Sequence, residues 1–137
     1  MRAAVIVDTG PLVAFLNRRD ARHVWARDTL ARIAPPLVTC EAVISEACFL
    51  LRSLSGGNEA IFSLLRESLV RIDFSLSDEL ETVAKLLKKY ADVPMSLADA
   101  CLVRMAEQHA GAKVLTQDSD FRRYRKNGRE VIPVLMP

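Results

Sequence analysis

No apolar run in this sequence approaches the roughly 18 residues that a membrane-spanning helix needs. The apolar N-terminal stretch Ala3 to Val7 stops at Asp8, too short for a secretory signal core. The expectation is a cytoplasmic protein that does not engage membranes. Cysteine is scarce: Cys40, Cys48 and Cys101 are odd in number, have apolar neighbours and form no CxxC pair. That argues against a zinc site or a disulfide framework and for reduced thiols in a core. Only two histidines occur, His23 and His109, and neither has a nearby nucleophile in sequence, so both read as surface or packing residues. The glycine-rich GK[ST] loop of a nucleotide-binding P-loop is missing as well.

Repeats, linkers and low-complexity segments are likewise missing. A chain of 137 residues, half of them hydrophobic, therefore reads as a single domain over 1–137 with a real core. Excess charge of one sign is absent too, the formal net charge being +2. The distribution is more telling than the sum. Arg122, Arg123, Arg125, Lys126 and Arg129 crowd into one stretch around Tyr124, and Arg18, Arg19 and Arg22 form a second cluster. Each run alone reads as a solvated face. Beside an active site, the first becomes a phosphate-contacting patch.

Ala3 to Val7 is apolar at every position and reads as a strand buried on both faces. Asp8-Thr9-Gly10-Pro11 breaks it and opens a helix, with Pro11 suited to the first turn. Further helices are expected at about 22–33, 41–54, 58–68, 77–90 and 96–110, the last closed by Gly111. Strands are expected at 37–39, 69–74, 113–116 and 130–134, with one helical turn at 119–124. Strands alternating with helices predict an α/β chain with a parallel sheet covered on both faces.

In such sheets ligands sit beyond the carboxyl ends of the strands. Asp8 follows the first strand, Asp118 and Asp120 follow the strand ending at Thr116, and Asp99 lies in the first turn of its helix. Glu46 falls inside a helix, with Ala42, Val43, Phe49 and Leu50 one turn away on either side. That spacing predicts a carboxylate on an apolar, core-facing stripe, where it must meet a cation. Each acid alone has a plainer explanation. Asp8 can cap the helix at Pro11, Asp99 can complete a capping box with Ser96, Asp118 can cap the turn at Phe121, and Glu46 can make a buried salt bridge. Capping leaves Glu46 unexplained, so the set together points to a metal site.

Four segments then resemble one family, the PIN domains, and especially the toxin ribonucleases called VapC. Val7-Asp8-Thr9-Gly10-Pro11-Leu12 resembles the family's opening strand and first acid. The stretch TCEAVISEACFLL, from Thr39, is similar to the segment bearing the second acid, Glu46. Tyr90 to Ala100 matches the segment with the third, Asp99, and Leu115 to Phe121 resembles the Thr-x-Asp-x-Asp-Phe ending that supplies the fourth. The resemblance implies a three-layer α/β/α sandwich with a central, mainly parallel sheet, dependence on Mg²⁺ or Mn²⁺, and RNA cleavage. It also implies a homodimer and, for the toxin branch of type II toxin–antitoxin pairs, an antitoxin partner. Asp8, Glu46, Asp99 and Asp118 are then the catalytic acids, with Asp120 a further candidate ligand and Thr9 and Thr116 in support.

Hard divalent ions suit carboxylate oxygens, activate a bound water and orient it for attack on a phosphodiester. Asp8 and Asp99 are expected as direct ligands, Glu46 and Asp118 as ligands directly or through water. Arg122, Arg123, Arg125 and Lys126 are expected to contact the RNA backbone. Asp8-Thr9-Gly10 also spells the aspartic-protease triplet, but that chemistry needs two such loops in a mainly β fold. The remaining alternative is a non-catalytic PIN-fold module that binds RNA or protein.

Overall fold

The structure, a computed structural model, describes residues 3–137. Five short strands form the main sheet: β1 (Val5–Val7), β2 (Leu37–Thr39), β3 (Val70–Ile72), β4 (Lys113–Leu115) and β7 (Val134–Leu135), in the order β3-β2-β1-β4-β7. Every neighbouring pair is parallel, with Ile6 opposite Val38 on one side and Val114 on the other. Ile6, Val7, Val114 and Leu115 are fully buried, which explains the consecutive apolar residues at the centre of the sheet in place of an alternating pattern.

Helices α1 (Thr9–Leu16) and α2 (His23–Leu30) link β1 to β2, and α3 (Glu41–Leu50) and α4 (Gly57–Arg66) link β2 to β3. The chain then crosses back through α5 (Leu80–Lys89) and α6 (Leu97–Gln108) to β4 on the far side of β1. Right-handed crossovers running in opposite directions place the two helix sets on opposite faces, giving the three-layer α/β/α sandwich. Helix α6 is the most deeply set, with Ala98 to Val103, Met105 and Ala106 all buried. Its small residues Ala98, Ala100 and Ala106 let it lie close on the sheet, while α5 covers it through Val83 and Leu86. Arg104 on α6 ties the two together by an ion pair to Glu79 at 2.9 Å.

Most elements are shorter at their ends than the sequence pattern predicts, and α3 stops at Leu50 rather than running to Leu54. One expected strand is two. Pro133 has no N–H to give a ladder, so the stretch 130–134 cannot stay in one sheet. Glu130–Val131 (β6) instead pairs antiparallel with Arg125–Lys126 (β5), across a turn in which Asn127 and Gly128 both have positive φ (51° and 87°). After Pro133 the chain joins β4 as β7.

Candidate active site

The strand order reverses at β1, so the crevice beyond its carboxyl end opens between the helix leaving β1 and the loop leaving β4. A cavity of about 390 Å³ lies at this edge, lined by Asp8, Thr9, Gly10, Glu46, Ser96, Asp99, Gln117 and Asp118. Four of those eight residues are carboxylates and none is a lysine, arginine or histidine. Three acids from distant parts of the chain thus meet the helical Glu46 as the sequence suggested.

All three aspartates are also helix caps. Asp8 Oδ1 accepts from the Thr9 N–H at 2.8 Å, and its Oδ2 accepts from the Thr116 hydroxyl at 2.7 Å. Asp99 forms the capping box with Ser96: the Ser96 hydroxyl accepts from the Asp99 N–H, and Asp99 Oδ2 accepts from the Ser96 N–H. Asp118 Oδ1 accepts from the Asp120 N–H at 2.9 Å and starts the short 3-10 helix Ser119–Arg122. Capping and site-building are therefore one device. A carboxylate has about four acceptor positions, so a cap fixes its orientation without exhausting it. Three helix N-termini also direct their positive ends at the same crevice and ease the crowding of negative charge there.

That crowding remains visible in the electrostatics. Burial, opposed by the bonds from Thr116 and Thr9 and reinforced by the charges of Asp99 and Asp118, raises the Asp8 carboxyl to about 6. Burial also raises Asp99, against the opposing bond from Tyr124. The Tyr124 hydroxyl donates to Asp99 Oδ2 at 3.0 Å from a fully buried ring, held edge-on against Phe121 and Tyr90 at 5.2 and 5.1 Å. Burial and the Asp99 charge push that phenol upward, so it stays a donor. Both protein bonds to Asp99 thus fall on Oδ2, which leaves Oδ1 for a ligand. Thr116 serves as expected, donating to Asp8 and accepting from the Asp118 N–H at 3.0 Å.

Other expectations need correction. Glu46 is exposed rather than core-facing: α3 buries Val43, Ile44 and Ala47, while Phe49 and Leu50 stand 59% and 49% exposed. Of the apolar neighbours that suggested a core-facing stripe, Val43 is buried and Ala42 packs against the core, but Phe49 and Leu50 stand on the solvent side with Glu46, which is marked by its place at the cavity and not by burial. Asp120 does not line the cavity; its carboxylate lies 3.6 Å from the Arg123 guanidinium. Arg125 folds back to donate to the carbonyls of Arg122 and Tyr124, which leaves Arg122 as the exposed cation of the cluster nearest the Asp118 turn. Tyr124, Gln117 and Gly10 carried no local signal that would have singled them out.

Among the described residues, no three Asp, Glu, His or Cys side chains are close enough as they stand to enclose one metal ion. A hard ion that keeps most of its waters needs only one or two carboxylates, and a cation-free cavity ringed by four acids suits that mode of binding. The residues present therefore fit a hydrated divalent ion rather than a dedicated protein cage.

Comparison with known proteins places the chain in a family. Ribonuclease VapC26 of Mycobacterium tuberculosis (strain ATCC 25618 / H37Rv) is 28% identical over 118 residues, which span 83% of this chain and 86% of that protein. The crystal structure of M. tuberculosis VapC20, described as a sarcin-ricin loop cleaving toxin, superposes with a TM-score of 0.76 at 25% identity, covering 85% of this chain and 92% of that one. Residues 5–127 match the family described as PIN domain, a span that holds every residue of the carboxylate cavity. The chain belongs to the PIN domain family.

Proposed function

We propose that this protein is a divalent-metal-dependent endoribonuclease and the toxin of a type II toxin–antitoxin pair, acting in the cytoplasm. The observation that carries the reading is the cavity at the strand-order reversal, where Asp8, Glu46, Asp99 and Asp118 converge with no cation among the lining residues. The relatives described as a ribonuclease and as a sarcin-ricin loop cleaving toxin support it. Asp8 and Asp99 are the residues to hold Mg²⁺ or Mn²⁺ directly, with Glu46 and Asp118 reaching it directly or through water. The bound ion would supply an activated water and charge neutralisation at the phosphodiester. Thr116 and Tyr124 keep the Asp8 and Asp99 carboxylates oriented for that role.

The test is cleavage of a mixed RNA pool with Mg²⁺ or Mn²⁺, with EDTA as control. Asp99→Asn is expected to reduce cleavage by roughly a hundredfold or more, about 3 kcal/mol of barrier. Cleavage that persists in this variant or in EDTA rejects the reading, and metal binding without turnover on any RNA favours a binding module instead.

Arg122 is proposed to meet the RNA backbone beside the Asp118 turn. Arg122→Ala is expected to weaken RNA binding and reduce the slope of log K against log salt by about one phosphate contact. An unchanged slope returns Arg122 to a solvated face. A homodimer is further proposed through the apolar side of the packed helices α3 and α4, where Phe49 and Leu50 on α3, Leu54 in the turn that follows and Phe62 on α4 are exposed. No helix among the described residues is long and apolar enough to cross a membrane.

A further inference from the structure

Two buried side-chain polar atoms lack any hydrogen-bond partner among the described residues, Thr9 Oγ1 and Gln117 Nε2. Both belong to residues that line the carboxylate cavity. A buried donor left alone is costly, and native structures hold few, so two on one cavity wall call for a common cause. Thr116, a few ångströms of chain away, shows what a purely structural hydroxyl looks like: it donates to Asp8 and accepts from the Asp118 N–H. Thr9 is only 4% exposed, yet its hydroxyl has no such assignment.

The placement of Gln117 is permitted by Gly10. A Cβ at position 10 would stand 3.0 Å from Gln117 Oε1 and 3.2 Å from its Cδ, tighter than a side chain tolerates without moving the amide. The chain thus leaves room at the first turn of α1 for a side chain arriving from the β4 loop, and the amide's last torsion turns easily. The ligand class follows from chemistry. An amide N–H can only donate, so its partner is an acceptor. The carboxylates around it repel an anion, whereas a neutral donor neither repels a phosphate nor competes with a metal ion for the acids, as a lysine there would.

We propose that Gln117, together with Thr9, forms the seat for a non-bridging oxygen of the substrate's phosphodiester, making Gln117 a substrate-positioning residue. This rests on the ribonuclease reading above. The experiment measures kcat and KM on an RNA oligonucleotide that the wild type cleaves, its affinity by fluorescence anisotropy in EDTA, Mn²⁺ affinity by calorimetry, and melting temperature. Gln117→Leu is expected to lower kcat/KM and weaken RNA affinity by roughly tenfold. Mn²⁺ affinity stays within about twofold of wild type and the melting temperature does not fall, because an unpaired buried amide has been removed. Gly10→Ala lowers kcat/KM when Gln117 is present and adds nothing to Gln117→Leu. Wild-type cleavage with Gln117→Leu unchanged in kcat/KM overturns the seat alone, as does full additivity of the two substitutions. A wild type that neither cleaves nor binds RNA overturns the ribonuclease reading and the seat with it.

Discussion

Asp8→Asn is expected to lose metal-dependent RNA cleavage by roughly a hundredfold or more while making the metal-free protein more stable. The two effects share one cause. Asp8 is 8% exposed, and burial is the chief reason its carboxyl is raised to about 6. An ionised carboxylate there is a strain that a bound cation relieves and an amide removes. Asparagine keeps the helix cap, since it still accepts from the Thr9 N–H and can meet the Thr116 hydroxyl. The direction with pH follows from linkage. A folded-state value raised from 3.8 to about 6 means the native protein holds its proton longer than the unfolded chain. Asp8 therefore costs nothing below pH 3.8, costs progressively more as pH rises to about 6, and reaches a plateau above it. At about 1.4 kcal/mol per unit that plateau is on the order of 3 kcal/mol. Thermal denaturation in EDTA should show wild type and Asp8→Asn converging at acid pH and separating at pH 7.5, with the variant higher. A wild type as stable as the variant at pH 7.5 would show that the Asp8 charge is not under strain.

Mg²⁺ or Mn²⁺ is expected to raise the melting temperature of the wild type at pH 7.5, and EDTA to reverse it. An ion that binds only the folded chain adds about 2.7 kcal/mol at a hundred times its dissociation constant, on the order of 10 °C for a chain of this size. The shift should shrink below pH 6, where Asp8 takes up its proton and competes with the metal. Asp99→Asn should remove most of it, because Asp99 Oδ1 is the oxygen of this pair left without a protein donor. The measurement is a set of calorimetric melts across metal concentration. An equal shift in wild type and Asp99→Asn would place the ion elsewhere on the protein.

Asp8 and Asp118 were legible because Asp8 directly follows the apolar strand β1 and Asp118 lies in the loop leaving β4, and in a parallel sheet that position leads to the ligand edge. Asp99 was legible through Ser96, since a Ser-x-x-Asp box announces a helix start by local hydrogen bonding alone. Glu46 was found for a wrong reason. Helical spacing shows which residues share a face but not which apolar face meets the core, and α3 carries apolar residues on both. The split of the final strand was open to inference from Pro133, whereas the transfer of Val134–Leu135 to the main sheet depended on which edge lay free beside β4.

By itself, then, the sequence determined the parallel α/β sandwich, the three capping aspartates and their common edge, because strand burial and helix capping are local and follow from neighbours within one turn. The tertiary structure alone decided that Tyr124 holds Asp99, that Gly10 makes room for Gln117, that Arg125 turns inward while Arg122 stays free, and that Glu46 faces solvent at the cavity. Each of these joins elements far apart in the chain or depends on how they pack, and no periodicity within a single element records where another element will lie against it.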